Sequence, residues 1–211
     1  MQPDPTPAIT PTDRELIAAV LAGDRATFAI LVRRHNQTLY RASRAILRDD
    51  AEAEDAVQAG WISAYRALAS FRGDATFRTW ITRIVVHEAS ARLRRNRRLD
   101  VVPLEETTMT ADADPARDAS TEELGRALEH EIDALPEGLR SVLVLRDVLE
   151  LDTAETATCL GIAEEAVRVR LHRARHAVAG AMTATGAASV WRFDGDRCDR
   201  VLAFVLAAIE V

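Results

Sequence analysis

Residues 152–177 read DTAETATCLGIAEEAVRVRLHRARHA, and this stretch decides the fold. Asp152 with Glu155 three residues later is a capping-box pattern, in which two side chains satisfy the free amides of a helix start. The spacing predicts a short helix over 153–160, a break at Gly161 and a second helix running to about Val178. Two helices joined by a short glycine-bearing turn form a helix-turn-helix. At 100° per residue, Val167, Leu171, Ala174 and Val178 fall on one side of the second helix and should be buried. Glu165, Val169, His172, Arg173 and His176 point the other way, with Arg168, Arg170 and Arg175 on the flanks. An arbitrary run of charge is most simply a solvated helix face. Here, however, six of the nine residues 168–176 are Arg or His, directly after a capped helix and a Gly turn. That pattern suits the major groove of DNA. Flanking guanidinium groups clamp phosphates, while the outer face offers Val169 to a thymine methyl, Arg173 to a guanine and Glu165 to a cytosine amine.

Working outward, the same helical grammar recurs. Thr12 with Glu15 is a second capping box, and Asp24 is the next candidate cap. Phe28, Leu31, Val32, His35, Leu39, Ala42 and Ile46 recur at helical spacing. A third helix after Asp49-Asp50 places Ala53, Val57, Trp61, Ala64 and Leu68 on one face, led by the acids Glu52, Glu54 and Asp55, which favour the helix dipole. Residues 71–75 read as a loop. A fourth helix from about Thr76 turns Phe77, Trp80, Ile81, Ile84 and Val85 inward and runs out into Arg92, Arg94, Arg95, Arg97 and Arg98. Helix signals resume at Leu124, Leu128 and Ile132. Pro136 sits as a first-turn proline, ahead of Leu139, Val142, Leu143 and Arg146. Strand-like alternation is nearly absent, so the fold class is all-α: a four-helix module over 12–98 and a helix-turn-helix module over 121–180. Residues 1–11, with four prolines, read as a flexible leader. Residues 99–120 read as an acidic linker, and 181–211 as a C-terminal extension that docks onto one of the modules.

Charge is segregated along the chain. The net charge is −6 over 211 residues, every basic residue is Arg, and residues 1–99 hold 16 Arg against 11 acids while residues 100–135 hold 2 against 11. Fields act over roughly 8–10 Å, so the basic front half matters more than the sum. A hydrophobic content of 48% is that of a soluble globular protein. The longest apolar run, 201–209, is too short to cross a bilayer. Neither a secretory signal nor a cysteine framework is evident, Cys159 and Cys198 being the only two cysteines. A reducing cytoplasm is the default compartment.

Phe77 and Trp80 stand three apart on a helix that turns basic, beside a loop containing Gly73. Aromatic residues among arginines suit single-stranded DNA, each stacked base contributing about 1–3 kcal/mol. At helical spacing such a pair is more often core, and one of the two is expected to be. Catalytic readings are weak. His172 and His176 form an i, i+4 pair with no third ligand and arginine neighbours, and neither a nucleophile constellation nor a Gly-rich phosphate loop appears. No cofactor or metal is expected.

Taken in order, these segments resemble RNA polymerase sigma factors of the small extracytoplasmic-function type, over about residues 14–98 and 124–178. Ala53-Glu54-Asp55-Ala56-Val57-Gln58 followed by Trp61 is similar to the helix that grips the clamp coiled coil of core polymerase. Phe71-Arg72-Gly73, Phe77, Thr79-Trp80-Ile81 and Arg83-Ile84 resemble the loop and helix that open and read the −10 element. Leu135-Pro136-Glu137, Arg140, Leu160-Gly161-Ile162 and Val167 through Arg175 resemble the −35-reading module. The chain departs from the family's habit at Ala163, Glu165-Ala166 and Val169.

The resemblance implies a dissociable specificity subunit rather than an enzyme. Its partners would be core RNA polymerase, promoter DNA and an anti-sigma factor. It assigns polymerase binding to Asp55, Gln58 and Trp61. Contact with −10 DNA falls to Phe71, Arg72, Gly73, Phe77, Arg78, Thr79, Trp80 and Arg83. Contact with −35 DNA falls to Glu165, Arg168, Val169, Arg170, His172, Arg173 and Arg175. The other reading is a helix-turn-helix regulator acting without polymerase, which would need neither the grip nor the melting loop.

Overall fold

In the computed structural model, residues 10–99, 119–182, 191, 193 and 195–209 are described, and their ordered elements are helical. The expected leader and acidic linker therefore lie, apart from their edges, outside the described residues, as do 183–190 of the extension.

The first module holds α1 (Asp13–Leu21), α2 (Phe28–Leu47), α3 (Asp50–Ala67) and α4 (Phe77–Leu99). Local chemistry sets their starts. Thr12 accepts from the Glu15 amide while the Glu15 carboxylate accepts from the Thr12 amide at 2.7 Å, so both halves of the capping box form. Asp24 caps a single 3-10 turn, Arg25–Thr27, that feeds α2. Asp49 caps α3 by accepting from Glu52. Each such cap contributes about 0.5–2 kcal/mol.

The apolar faces meet in a core containing Phe28, Leu31, Leu39, Ile46, Val57, Trp61, Ile81 and Val85. Phe28 meets Trp61 and Tyr65 edge-on, the arrangement that ring quadrupoles favour. At Gly60, α3 and α4 come so close that an added Cβ would stand 2.4 Å from the Val85 Cγ2.

The second module holds α5 (Ala119–Ala134), α6 (Glu137–Leu143), α7 (Thr153–Leu160) and α8 (Glu164–Met182). Pro136 precedes the first turn of α6 rather than occupying it, its ψ of 140° lying outside the helix. After α6 the chain widens into one π turn, Val144–Val148, closed by the Leu149 amide on the Val144 carbonyl. The steady apolar spacing of this region had given no sign of that widening. Asp152 and Glu155 complete their capping box, and Gly161 takes the left-handed conformation (φ 65°) that turns α7 into α8.

The two modules pack against each other. Arg140, only 2% exposed, is the pivot. Its guanidinium donates to the carbonyls of Ala45 at the end of α2 (2.5 Å) and of Asp133 (3.2 Å) and Leu135 (2.7 Å) at the end of α5. Helix C-termini carry unsatisfied carbonyls and partial negative charge, so one cation answers both ends. Burial pushes Arg140 down to about 10, leaving it protonated at neutral pH. Arg44 adds a bidentate pair with Asp133 at 2.9 and 3.1 Å.

The extension ends in α9 (Asp196–Ile209), which packs along α3 and across α2. The extension therefore docks mainly on the first module, with the Trp191 amide also donating to Glu129 of α5 at 2.6 Å.

Candidate nucleic-acid interface

On α8, Val167, Leu171, Ala174 and Val178 are buried. Glu165, Arg168, Val169, His172, Arg173, Arg175 and His176 are exposed, and Arg170 is half-buried against Gly138. The division by angle thus matches the geometry. Val169, 45% exposed, is an apolar spot on an otherwise charged face, suited to a methyl group. The flanking arginines are not equally available. Arg175 makes a two-point pair with Asp147 at 2.6 and 2.8 Å, and Arg168 pairs with Glu164 at 3.3 Å. Asp147 comes from the π turn, so no helical spacing within α8 could have shown this tie.

The second surface surrounds the loop 71–76. Gly73 has φ 80°, which a side chain disfavours. Thr76 accepts from the Thr79 amide and so starts α4. Phe71, Phe77 and Trp80 form one aromatic cluster with ring centroids 5.3–5.7 Å apart. Phe77 is 3% exposed and belongs to the core, in contact with Trp61 and His35; Trp80 and Phe71 are half-exposed. Phe77 thus positions its neighbours and is not itself presented to a ligand. Beside the loop opens a cavity of about 750 Å³, lined by Asp13, Arg14, Arg34, Phe71, Arg72 and Gly73 among others. Arg72 and Arg83 are exposed.

Two residues assigned to this surface are engaged with the other module. Thr79 is buried and donates to the Glu155 carboxylate on α7; Arg78 donates to the Leu149 carbonyl. Cys159, also on α7, donates weakly to the Thr79 carbonyl at 3.8 Å. Burial pushes the Cys159 thiol up to about 12, so it is a packing residue without thiolate reactivity.

The third surface is α3. Asp55 is exposed and lies 3.3 Å from Arg92; Gln58 is half-buried. Trp61 departs from expectation. It is wholly enclosed, with its indole N–H donating to Asn36 at 2.7 Å. It holds α3 on α2 and offers nothing to a partner. Its place on the apolar stripe with Val57 and Ala64 was the signal for that role. Among the described residues no group of three or more His, Cys, Asp or Glu could hold a metal ion, and no helix is long and apolar enough to cross a membrane.

Comparison with known proteins agrees with this arrangement. Residues 31–99 match the family described as Sigma-70 region 2, and residues 125–178 match Sigma-70, region 4. The ECF RNA polymerase sigma factor SigM of Mycobacterium tuberculosis (strain ATCC 25618 / H37Rv) is 40% identical over 164 residues, covering 78% of this chain and 81% of that protein. The RNA polymerase sigma-H factor of Pseudomonas aeruginosa is 33% identical over 176 residues, covering 79% and 91%. Among solved structures, CnrH in complex with the cytosolic domain of CnrY is similar at TM-score 0.56 and 28% identity, covering 82% of this chain and 97% of that one. With two matched regions in sequence order and relatives aligned over most of their length, the chain belongs to the extracytoplasmic-function sigma factors of RNA polymerase.

Proposed function

We propose that the chain works as a non-enzymatic cytoplasmic subunit. It docks on core RNA polymerase through the outer face of α3 around Asp55 and Gln58. It brings α8 to the −35 element, and it uses the loop 71–76 with Trp80 to hold a melted −10 strand. Arg168, Arg170 and Arg175 supply phosphate contacts that set register; Val169, Arg173 and Glu165 face the base edges. At the −10 site the cavity beside Gly73 accepts a base taken out of the stack, and the half-exposed Phe71 and Trp80 supply the π surface. Arg72 and Arg83 neutralise the backbone. The observation that carries this reading is the pairing of two such surfaces in one chain. A groove-reading helix and an aromatic strand-holding loop are both needed to open a promoter, whereas a simple repressor needs only the first.

The module contact gives the reading a conformational step. Thr79 faces α7 and Arg78 the segment just before it, so the modules must part before these two residues can meet DNA. An anti-sigma factor that favours the closed pair would hold the chain inactive.

The test is retention of purified bacterial core polymerase by the tagged chain, with Asp55→Arg in parallel. Retention by the wild type and loss in the variant supports the grip on α3. Equal retention by both moves the grip elsewhere on the chain. Failure of the wild type to retain polymerase, together with sequence-selective DNA binding by the chain alone, favours the regulator reading.

A further inference from the structure

The C-terminal helix α9 lies outside both matched regions, which end at 99 and 178, yet it packs on the first module. Val201, Leu202, Val205 and Ile209 form its buried stripe. They cover the seam between α2 and α3, where Asn36 and Tyr40 of α2 are both about 1% exposed. The approach to the seam is stitched by short chain segments. Phe193 stacks on Tyr40 with centroids 4.4 Å apart. The Gln37 side chain grips the backbone on both sides, donating to the Trp191 carbonyl at 2.8 Å and accepting from the Phe193 amide at 2.7 Å. Asn36 donates to the Cys198 thiol at 3.2 Å.

The rim is a charge match. Arg197 pairs with Asp50 at 2.9 Å and with Glu54 at 3.4 Å, and Arg200 pairs with Glu54 at 3.2 Å. Asp50 opens α3 and Glu54 stands one turn further on, with Asp55 and Gln58 following on the same helix. Arg33 pairs with Asp199 at the far edge, both side chains being about 60% exposed.

We propose that the α2–α3 seam is a helix-docking surface for an amphipathic, arginine-bearing helix, and that α9 is its resting occupant, displaced when core polymerase binds. The inference rests on the reading of α3 as the polymerase-binding element. Three features argue that α9 is displaceable. It has 14 residues, a length at which an isolated helix is marginal in water, so undocking melts it instead of leaving a competing helix. At the far edge the Arg33–Asp199 pair is exposed on both sides, and of the Glu54 pairs the Arg200 side is open to solvent, so salt screens these contacts. Its outward side carries Phe204 at 52% exposure, so α9 is a single layer over the seam with nothing packed on top among the described residues. A partner helix bringing its own cations to Asp50 and Glu54 replaces each interaction in kind. If α9 is docked about four-fifths of the time, its release raises apparent affinity about fivefold.

The experiment uses the full chain. Affinity for purified core polymerase is measured for the wild type and for the double variant Arg197→Glu/Arg200→Glu, which sets like charge against Asp50 and Glu54. Hydrogen exchange of residues 196–209 is followed in the free and polymerase-bound wild type. Expected are binding about fivefold or more tighter in the variant, and loss of protection across α9 in the wild-type complex. Unchanged affinity with α9 still protected in the complex overturns the proposal while leaving polymerase binding through another face of α3 intact. Absence of polymerase binding by both proteins overturns the function reading and this proposal with it. Should the double variant lose protection in α2–α4, the wild-type exchange result decides alone.

Discussion

Replacing Arg140 by Met keeps the volume of the side chain and removes every hydrogen bond it makes. The guanidinium makes three well-formed bonds, at 2.5, 2.7 and 3.2 Å, to carbonyls of Ala45, Leu135 and Asp133. Hydrogen bonds from a charged donor contribute about 1.5–3 kcal/mol each, and the desolvation of a buried cation offsets a large part of that sum. Two carbonyl groups facing the module boundary become accessible to water once the modules part, which lowers the cost further. Of these bonds only the one to Ala45 crosses the module boundary, so the equilibrium between packed and parted modules shifts by about 2 kcal/mol, or roughly 30-fold, and the bonds to Asp133 and Leu135 weaken the second module itself. The predicted signature has two parts. The urea midpoint falls, and small-angle scattering of the native variant shows a larger radius of gyration as α4 leaves α7. Arg140→Lys recovers little, because an ammonium group cannot span carbonyls on two helix ends in the fixed fork of a guanidinium. A loss under about 1 kcal/mol with unchanged scattering would refute the pivot role, and the module contact would then have to rest on Arg44–Asp133 and Thr79–Glu155.

Gly60→Ala drives a methyl into Val85, and overpacking of this kind costs about 1–3 kcal/mol; in a melting series, adding Val85→Ala should make the double variant less destabilised than the two single losses combined. Phe77→Ala should lower stability by about 3–5 kcal/mol, as for a buried aromatic. Trp80→Ala should instead leave stability within about 1.5 kcal/mol and remove permanganate reactivity of the −10 strand; the reverse order would exchange their roles. His35, 6% exposed and 2.9 Å from Asp13, is held below its usual 6.5 by burial, against the pull of that carboxylate. The unfolded chain then binds the proton first. This contribution is complete above about pH 6.5 and is lost as the pH falls from there toward the folded value. Urea midpoints between pH 7.5 and 5.5 should show that slope, and His35→Gln should flatten it.

What the sequence made legible was local. Thr12–Glu15 and Asp152–Glu155 act within four residues, and the buried stripe of α8 is a matter of angle alone, so all three could be read without the fold. The assignments that changed depended on partners far along the chain. Trp61 is enclosed because Asn36 and Phe28 close over it, and Thr79 is covered because Glu155 stands 76 residues away. Arg175 is tied down by an acid from a turn whose widening has no periodic signature. The docking of α9 needed the seam of two other helices as its mate, and its own amphipathic stripe states only that some apolar surface awaits it. Arg140 shows the same limit from the other side: an arginine in an apolar helix gave a family likeness, but its role as a shared cap for two helix ends exists only once the modules meet.

A sigma factor directs polymerase to promoters. The most direct measurement is transcription by purified core polymerase on fragmented genomic DNA of the source organism, with and without the chain, with start sites mapped by sequencing. Expected are start sites that depend on the chain, each preceded by one shared pair of sequence elements at fixed spacing, and weakened at the upstream element when Arg173 is replaced by Ala. Chain-independent starts throughout, with the chain nonetheless selecting DNA sequences on its own, would contradict it.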